Sequence, residues 1–211
     1  LTGFKDAIAQ SAASAASDVG IWVRIKPNND IVVRMTRSEM GQGTITGLAQ
    51  LVVEELEGDW KKVKFEYISP KESFQEKAKW GDFVTTGSRG IRGAHDYVRR
   101  GGAVAREMLK QAAANQWKVP VAEIKAENSV LTHAGSGRKL SYGQVAVAAA
   151  KLTPPDPKSV TLKAAKDWKI AGKPLARLDT PPKLTGAQVY TTDIKLPGML
   201  NAAIKDAPVF K

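Results

Sequence analysis

A side-chain amide bracketed by two glycines, Gly41-Gln42-Gly43, lies where the sequence pattern of a strand gives way to that of a helix. Glycine accepts positive φ and lets another group approach the backbone where a Cβ would block it. The first N–H groups of a helix lack intrahelical partners and attract anions, and an amide adds donors and acceptors. The turn predicts a site for a phosphate-bearing or amide-like ligand. The alternative is a plain strand end with a solvated Gln42.

A second turn of the same kind is Thr86-Gly87-Ser88-Arg89, which precedes a helical pattern running from Ala94 to Ala112. Hydroxyl and free N–H groups again gather at a helix start. The Arg89 guanidinium suits a phosphate because it can donate two parallel hydrogen bonds. The alternatives are a helix cap and a surface ion pair of Arg89 with Asp82 or Asp96.

Apolar spacing outlines the elements around these turns. Residues 21–25 and 31–35 predict a hairpin, residues 45–56 repeat at helical spacing, and residues 63–67 alternate as a further strand. The pair Gly101-Gly102 is costly inside a helix and predicts close packing against another element. We expect an α+β fold with a mixed sheet and packed helices.

Several ordered segments resemble the large subunit of the molybdenum hydroxylases, which form the xanthine dehydrogenase and aldehyde oxidase family. The branch that they resemble most is the isoquinoline 1-oxidoreductase β-subunit type. The segments are Glu39 to Thr44, Val53 to Leu56, Thr85 to Arg89, Arg106 to Leu109 and Arg177 to Leu200.

The resemblance implies a division of the chain into three parts. Residues 1–152 would form a portion of an α+β molybdopterin-binding domain, and residues 153–176 a linker. Residues 177–211 would begin a hammerhead-like α/β domain that breaks off soon after it starts.

Family members hold a molybdopterin cofactor with molybdenum, often as the cytosine dinucleotide. They hydroxylate aldehydes or nitrogen heterocycles with oxygen drawn from water. Carried over residue by residue, the resemblance implies cofactor contacts at Gly41, Gln42 and Gly43 in the first turn, and at Gly87, Ser88 and Arg89 in the second. Thr86 completes the predicted set.

Two family features do not occur in this sequence: a later glycine-rich segment and a catalytic glutamate near the far C-terminus. We therefore expect a portion of a larger enzyme that is inactive alone, with the remaining large-subunit chain as a partner. Apolar residues between Leu196 and Phe210 would face that partner. The alternative is a non-catalytic scaffold relative that kept the fold and lost the reaction.

The absence of cysteine from the sequence excludes iron–sulfur ligation within it. Such clusters are expected on a partner chain, the small subunit, with a cytochrome as a possible electron acceptor. His95 and His133 lack the company of a zinc signature, so we assign no protein metal ligand. By resemblance the protein is expected in the periplasm or at the membrane of a bacterium, with the cytoplasm as the alternative.

A formal charge of +11, from 32 basic and 21 acidic residues, raises nucleic-acid binding as a rival function. The basic residues are scattered, however, and aromatic residues do not interleave with them. A basic surface that is solvated, or that faces an acidic subunit or an anionic membrane, is the favoured interpretation.

Overall fold

The computed structural model of the chain describes residues 16–69, 71–72, 77–81 and 83–209. Its first sheet has four strands, which lie side by side in chain order. The strands are β1 (Ser17–Asp18), β2 (Val23–Ile25), β3 (Ile31–Met35) and β4 (Val63–Tyr67). β2 and β3 form the predicted antiparallel hairpin, whereas β3 and β4 are parallel. The sheet is therefore mixed, as the sequence predicts.

Helix α1 (Thr44–Leu56) connects β3 to β4, because parallel neighbours need a crossover. Its apolar positions, among them Leu48, Val52 and Leu56, are buried in the core. The short helices α2 (Lys77–Trp80) and α3 (Arg89–Arg92) follow β4 and lead into the long helix α4 (His95–Trp117). α1 and α4 pack closely against each other.

A second sheet contains three antiparallel strands, β5 (Ile124–Glu127), β6 (Val130–His133) and β7 (Lys139–Ser141), and leads into helix α5 (Tyr142–Ala149). The buried Tyr142 hydroxyl donates to the Leu56 carbonyl at 2.6 Å, and the Ser129 N–H donates to the Glu57 carbonyl at 2.9 Å. These bonds join the second sheet to the end of α1. Helix α6 (Thr180–Leu184) is the last α-helix of the described residues.

The glycine pair in α4 marks close packing, as its sequence predicts. A Cβ on Gly101 would lie 2.1 Å from Trp22 Cδ1, and a Cβ on Gly102 would lie 2.1 Å from the Val52 carbonyl oxygen. The backbone of α1 therefore approaches α4 where only hydrogen fits.

Substitution of Gly102 should reveal the cost of that approach. Gly102→Ala should lower the free energy of unfolding by about 1–3 kcal/mol or more, because a backbone carbonyl cannot rotate away as a side chain could. Asn115→Ala, an exposed change in the same helix, is the control and should be close to neutral. Urea unfolding of the two variants checks this, and equal stability would contradict the packing account.

The buried Glu54 carboxylate fastens part of the predicted linker to α1. It accepts hydrogen bonds from the N–H groups of Lys169, Ile170 and Ala171 at 2.9, 2.6 and 2.9 Å, and it pairs with the Lys163 ammonium. Burial raises the pKa of Glu54, but the Lys163 ammonium and these N–H groups outweigh burial and hold that pKa below its usual value. The predicted domain boundaries at 152 and 176 stay predictions.

The attachment of residues 169–171 to the Glu54 carboxylate should weaken in acid. A carboxyl whose pKa is lower in the folded state stabilises the fold above its unfolded pKa of about 4.3, and the stabilisation is lost as pH falls through the folded pKa. Hydrogen-exchange protection at residues 169–171 should therefore fall in that window. Glu54→Gln should lower the free energy of unfolding by about 1.5–3 kcal/mol at neutral pH, and it should flatten the pH dependence of this protection. The partly exposed Glu107→Gln should cost about 1 kcal/mol or less. Unchanged hydrogen-exchange protection at residues 169–171 in Glu54→Gln would refute this role of Glu54.

Candidate cofactor-binding site

The two glycine turns, far apart in sequence, lie side by side. The Ser38 N–H, three residues before Gly41, donates to Oγ1 of Thr85, which directly precedes the second turn, at 3.1 Å. On the other side, a Cβ on Gly90 would meet Thr44 Oγ1 at 2.9 Å, so the starts of α3 and α1 are in contact. The fold thus brings both sequence-predicted motifs to one edge of the molecule.

The first turn depends on its glycines. Gly41 has φ of +101° and Gly43 has φ of +82°, both in the region that disfavours a Cβ. Apart from its chain neighbours, no described residue has a heavy atom within 4 Å of the place where a Cβ on Gly41 would stand. A ligand can therefore approach this backbone closely.

The Glu39 carboxylate occupies the inside of the same turn. It accepts from the N–H groups of Gly41, Gly43 and Ile45 at 2.8, 2.9 and 3.1 Å. The expectation that N–H groups at the start of this helix remain available to an anion is therefore corrected at Gly43 and Ile45. A carboxylate at this place repels a phosphate, so the first turn suits a neutral polar group.

The exposed Gln42 side chain is held by its own turn. Its Oε1 accepts from the Met40 N–H at 2.6 Å, and its Nε2 donates to the Ser38 carbonyl at 2.8 Å. These bonds use one donor and one acceptor site of an amide that has two of each. Gln42 is thus positioned and can still bind the edge of a polar ring.

The second turn, Thr86-Gly87-Ser88-Arg89, is exposed and has a left-handed backbone at Gly87 (φ +62°) and Ser88 (φ +58°). The Ser88 side chain makes no capping hydrogen bond, so the helix-cap alternative fails for Ser88. Arg92 Nη2 donates to the Gly87 carbonyl at 2.9 Å and closes the turn. The predicted helix from Ala94 to Ala112 is present within α4, but the four-residue α3 stands between it and the turn.

The second turn carries two arginine side chains. Arg89 and Arg92 lie in α3 and are exposed, as are Thr86 and Ser88, which precede α3 in the chain. Asp96, one of the acidic partners that the sequence offers Arg89, receives the Arg100 Nε at 2.7 Å, and the other, Asp82, lies outside the described residues. The surface ion pair of Arg89 therefore stays an alternative. The donor set suits a phosphate group.

A cavity of about 840 Å³ opens beside the first turn. Its lining includes Glu39, Gly41, Tyr67 and Asp179, and it extends to residues 188–191. The Tyr67 oxygen accepts from the Glu39 N–H at 3.1 Å. The Arg177 guanidinium, and then the Lys183 ammonium, hold the pKa of Asp179 well below its usual range, although burial opposes them.

Molybdopterin combines a flat polar ring with a phosphate-bearing chain, and the two turns fit these two parts. The first offers an open backbone and a fixed amide, and the second offers cations and hydroxyls. Among the residues that the structure describes, no group of three or more His, Cys, Asp or Glu side chains could hold a metal ion. His133, for example, contacts Glu123 and Ser136 in the second sheet.

Comparison with known families shows that this fold is a cofactor-binding domain. The family described as "Molybdopterin cofactor-binding domain" matches residues 2–194. The chain belongs to this family. The resemblance to molybdenum hydroxylase large subunits and the predicted α+β fold with a mixed sheet are thereby confirmed.

Known relatives are similar along most of the chain. The isoquinoline 1-oxidoreductase subunit beta of Brevundimonas diminuta is 28% identical over 97% of this chain and 30% of its own length. The membrane-bound aldehyde dehydrogenase [pyrroloquinoline-quinone] of Gluconacetobacter polyoxogenes is 30% identical over 89% of this chain and 24% of its own length. Among solved structures, quinoline 2-oxidoreductase from Pseudomonas putida 86 aligns with a TM-score of 0.46 at 19% identity, over 74% of this chain and 23% of that chain.

The chain therefore spans less than a third of the length of each of these relatives. In the part of the chain that is described, no helix is both long and apolar enough to cross a membrane.

Sequence reasoning missed three residues of the site. Glu39 belonged to the recognised motif, but its role as an internal acceptor was not predicted. Arg177 and Asp179 were assigned to another domain, although Arg177 Nη1 donates to the Gly41 carbonyl at 2.8 Å. For Glu39, the local signal is an acidic residue just before a glycine turn. For Arg177 and Asp179, the sequence around the turn gives no signal, because they lie far along the chain.

Proposed function

We propose that this chain is the cofactor-binding portion of a molybdenum-dependent oxidoreductase. The full protein would hydroxylate an aldehyde or a nitrogen heterocycle with oxygen drawn from water. The observation that supports the proposal is the contact between the two glycine turns in a chain that matches a molybdopterin cofactor-binding domain.

Each turn has its own role in this proposal. Gly41, Gln42 and Gly43 bind the pterin edge, because the amide has free bonding capacity and the backbone is open. Thr86, Gly87, Ser88 and Arg89 bind the phosphate-bearing part, because a guanidinium and hydroxyls suit that charge. The bound cofactor supplies the redox chemistry and the oxygen transfer at its metal. This chain binds and orients it.

In this proposal, the catalytic and electron-transfer groups lie in other chains or segments of the enzyme. The catalytic glutamate lies in the remaining large-subunit chain, and the cofactor is the cytosine dinucleotide form. Iron–sulfur clusters lie on a small subunit that passes electrons to an acceptor such as a cytochrome. A periplasmic or membrane-associated location follows from the same resemblance.

Exposed apolar side chains support the expectation of a partner chain. Leu184, Leu200 and Ile204 are 81%, 89% and 93% exposed, and Met199 and Val209 are also largely exposed. Monomeric proteins rarely leave so much apolar surface in one segment without a partner. We propose that the remaining large-subunit chain covers residues 184–209.

The source of the product oxygen tests this function. The native assembly is incubated in H₂¹⁸O with a panel of aldehydes and nitrogen heterocycles and an artificial electron acceptor. The proposal expects ¹⁸O in the hydroxylated product. A cofactor-loaded assembly that hydroxylates no member of either class would favour the non-catalytic scaffold. Product oxygen derived from O₂ would contradict the proposed reaction.

A further inference from the structure

We propose that Arg177 is a positioning residue for the Gly41-Gln42-Gly43 turn, and that cofactor retention depends on its two-sided contact. The inference rests on the proposed function, because it assigns a further residue to the same site. It joins the Arg177 to Leu200 segment, which the sequence assigns to a separate domain, directly to the cofactor-binding turn.

The contacts of Arg177 reach both sides of the turn. Nη1 donates to the Gly41 carbonyl at 2.8 Å, and Nη2 lies 3.3 Å from Glu39 Oε1. That same carboxylate oxygen receives the N–H groups of Gly41 and Gly43. The guanidinium therefore fixes the peptide before Gln42 directly, and the two glycine N–H groups through Glu39.

Asp179 holds the guanidinium in this orientation. Arg177 Nε donates to Asp179 Oδ1 at 3.0 Å and Nη2 donates to Oδ2 at 2.8 Å, a bidentate pair. The Asp179 side chain is 3% exposed and also receives Lys183 Nζ at 2.6 Å. The neighbouring Leu178 N–H donates to Thr46 Oγ1 at 3.1 Å, which ties the segment to the first turn of α1.

Charge alone does not reproduce this arrangement. A lysine at 177 keeps the positive charge, but an ammonium cannot donate in a plane to Asp179 and to the Gly41 carbonyl at once. The turn would keep its Glu39 contacts and lose the bond that sets the Gly41 carbonyl. The Gln42 amide, whose neighbours are then free to reorient, would be less well placed for a ligand.

The test is cofactor retention in the full-length native assembly. Arg177→Lys should hold about tenfold less molybdenum and pterin per folded chain than wild type. The control is Arg100→Lys, because Arg100 also combines a carboxylate, Asp96, with a backbone carbonyl, that of Pro157, away from the turns. The control should keep wild-type loading, and both variants should show similar melting temperatures.

A double-mutant cycle with Gln42→Ala separates positioning from general stability. If Arg177 acts through the turn, Arg177→Lys should reduce loading much less in the Gln42→Ala background than in wild type. The positioning role would be overturned if Arg177→Lys lowered cofactor loading by the same factor in both backgrounds, or if Arg177→Lys were fully loaded. The proposed function would still stand in either case, provided that the wild-type assembly carries the cofactor. A wild-type assembly without molybdopterin would instead overturn the proposed function and this inference with it.

Discussion

Gly43→Val should abolish molybdopterin loading of the full assembly and leave this region folded. Gly43 has φ of +82° and ends the turn as the residue before α1. A β-branched side chain there costs about 1–3 kcal/mol of strain if the backbone holds, so the turn is expected to change shape instead. The Glu39 and Gln42 contacts would be lost with it, whereas the core around α1 and α4 would remain.

The matched control is Gly137→Val, in the turn between β6 and β7. Gly137 also has positive φ, +67°, and open space at its Cβ position, but it lies in the second sheet. Its backbone strain should be similar and its molybdenum content normal. The molybdenum content of the two variants measures cofactor loading, and their circular dichroism shows whether they are folded. A folded Gly43→Val protein with wild-type molybdenum would refute the assignment of the first turn.

Arg89→Ala should weaken cofactor binding by about tenfold or more, since a hydrogen bond to a charged group contributes about 1.5–3 kcal/mol. Arg89→Lys should fall between Ala and wild type, because the ammonium keeps the charge and loses the planar two-point contact. The binding defect should appear as a lower molybdopterin content of the purified protein. The KM for substrate should be unchanged in the enzyme that still carries the cofactor.

The control for Arg89 is Arg138→Ala, in the connection between β6 and β7, where Arg138 donates to Ser136 and lies over the Trp117 ring. If Arg89 only formed a surface ion pair, its removal would cost about 1 kcal/mol or less of stability and leave loading normal. Cofactor occupancy measured beside thermal stability separates the two cases. Full occupancy of Arg89→Ala would end the role of Arg89 in phosphate binding.

Local patterns predicted the elements that local physics controls. The hairpin of β2 and β3 follows from two β-rich runs around a turn, and α1 follows from apolar residues at helical spacing. The Gly101-Gly102 pair pointed to a close helix contact, because glycine inside a helix needs a packing reason. Both glycine turns were predicted for the same reason: glycine permits the positive φ that these turns adopt. Their role in ligand binding stays a prediction.

The contacts within the site were not predictable in the same way. Arg177 lies 136 positions after Gly41, and no periodicity links the two. Glu39 was read as part of a motif, but only the folded turn shows that its carboxylate takes the N–H groups expected to bind an anion. The short helix α3 before α4 was not predicted, because four residues carry no helical periodicity, and Gly93 and Ala94 form a turn between the two helices.

The cofactor content of the native protein tests the central claim most directly. Purified native assembly is analysed for molybdenum by mass spectrometry and for pterin by the fluorescence of its oxidised product, with intact masses of all companion chains. The account predicts stoichiometric molybdenum and pterin in complexes that contain this chain. A folded native protein that carries pyrroloquinoline quinone, the cofactor in the name of its Gluconacetobacter polyoxogenes relative, and no molybdopterin would contradict it.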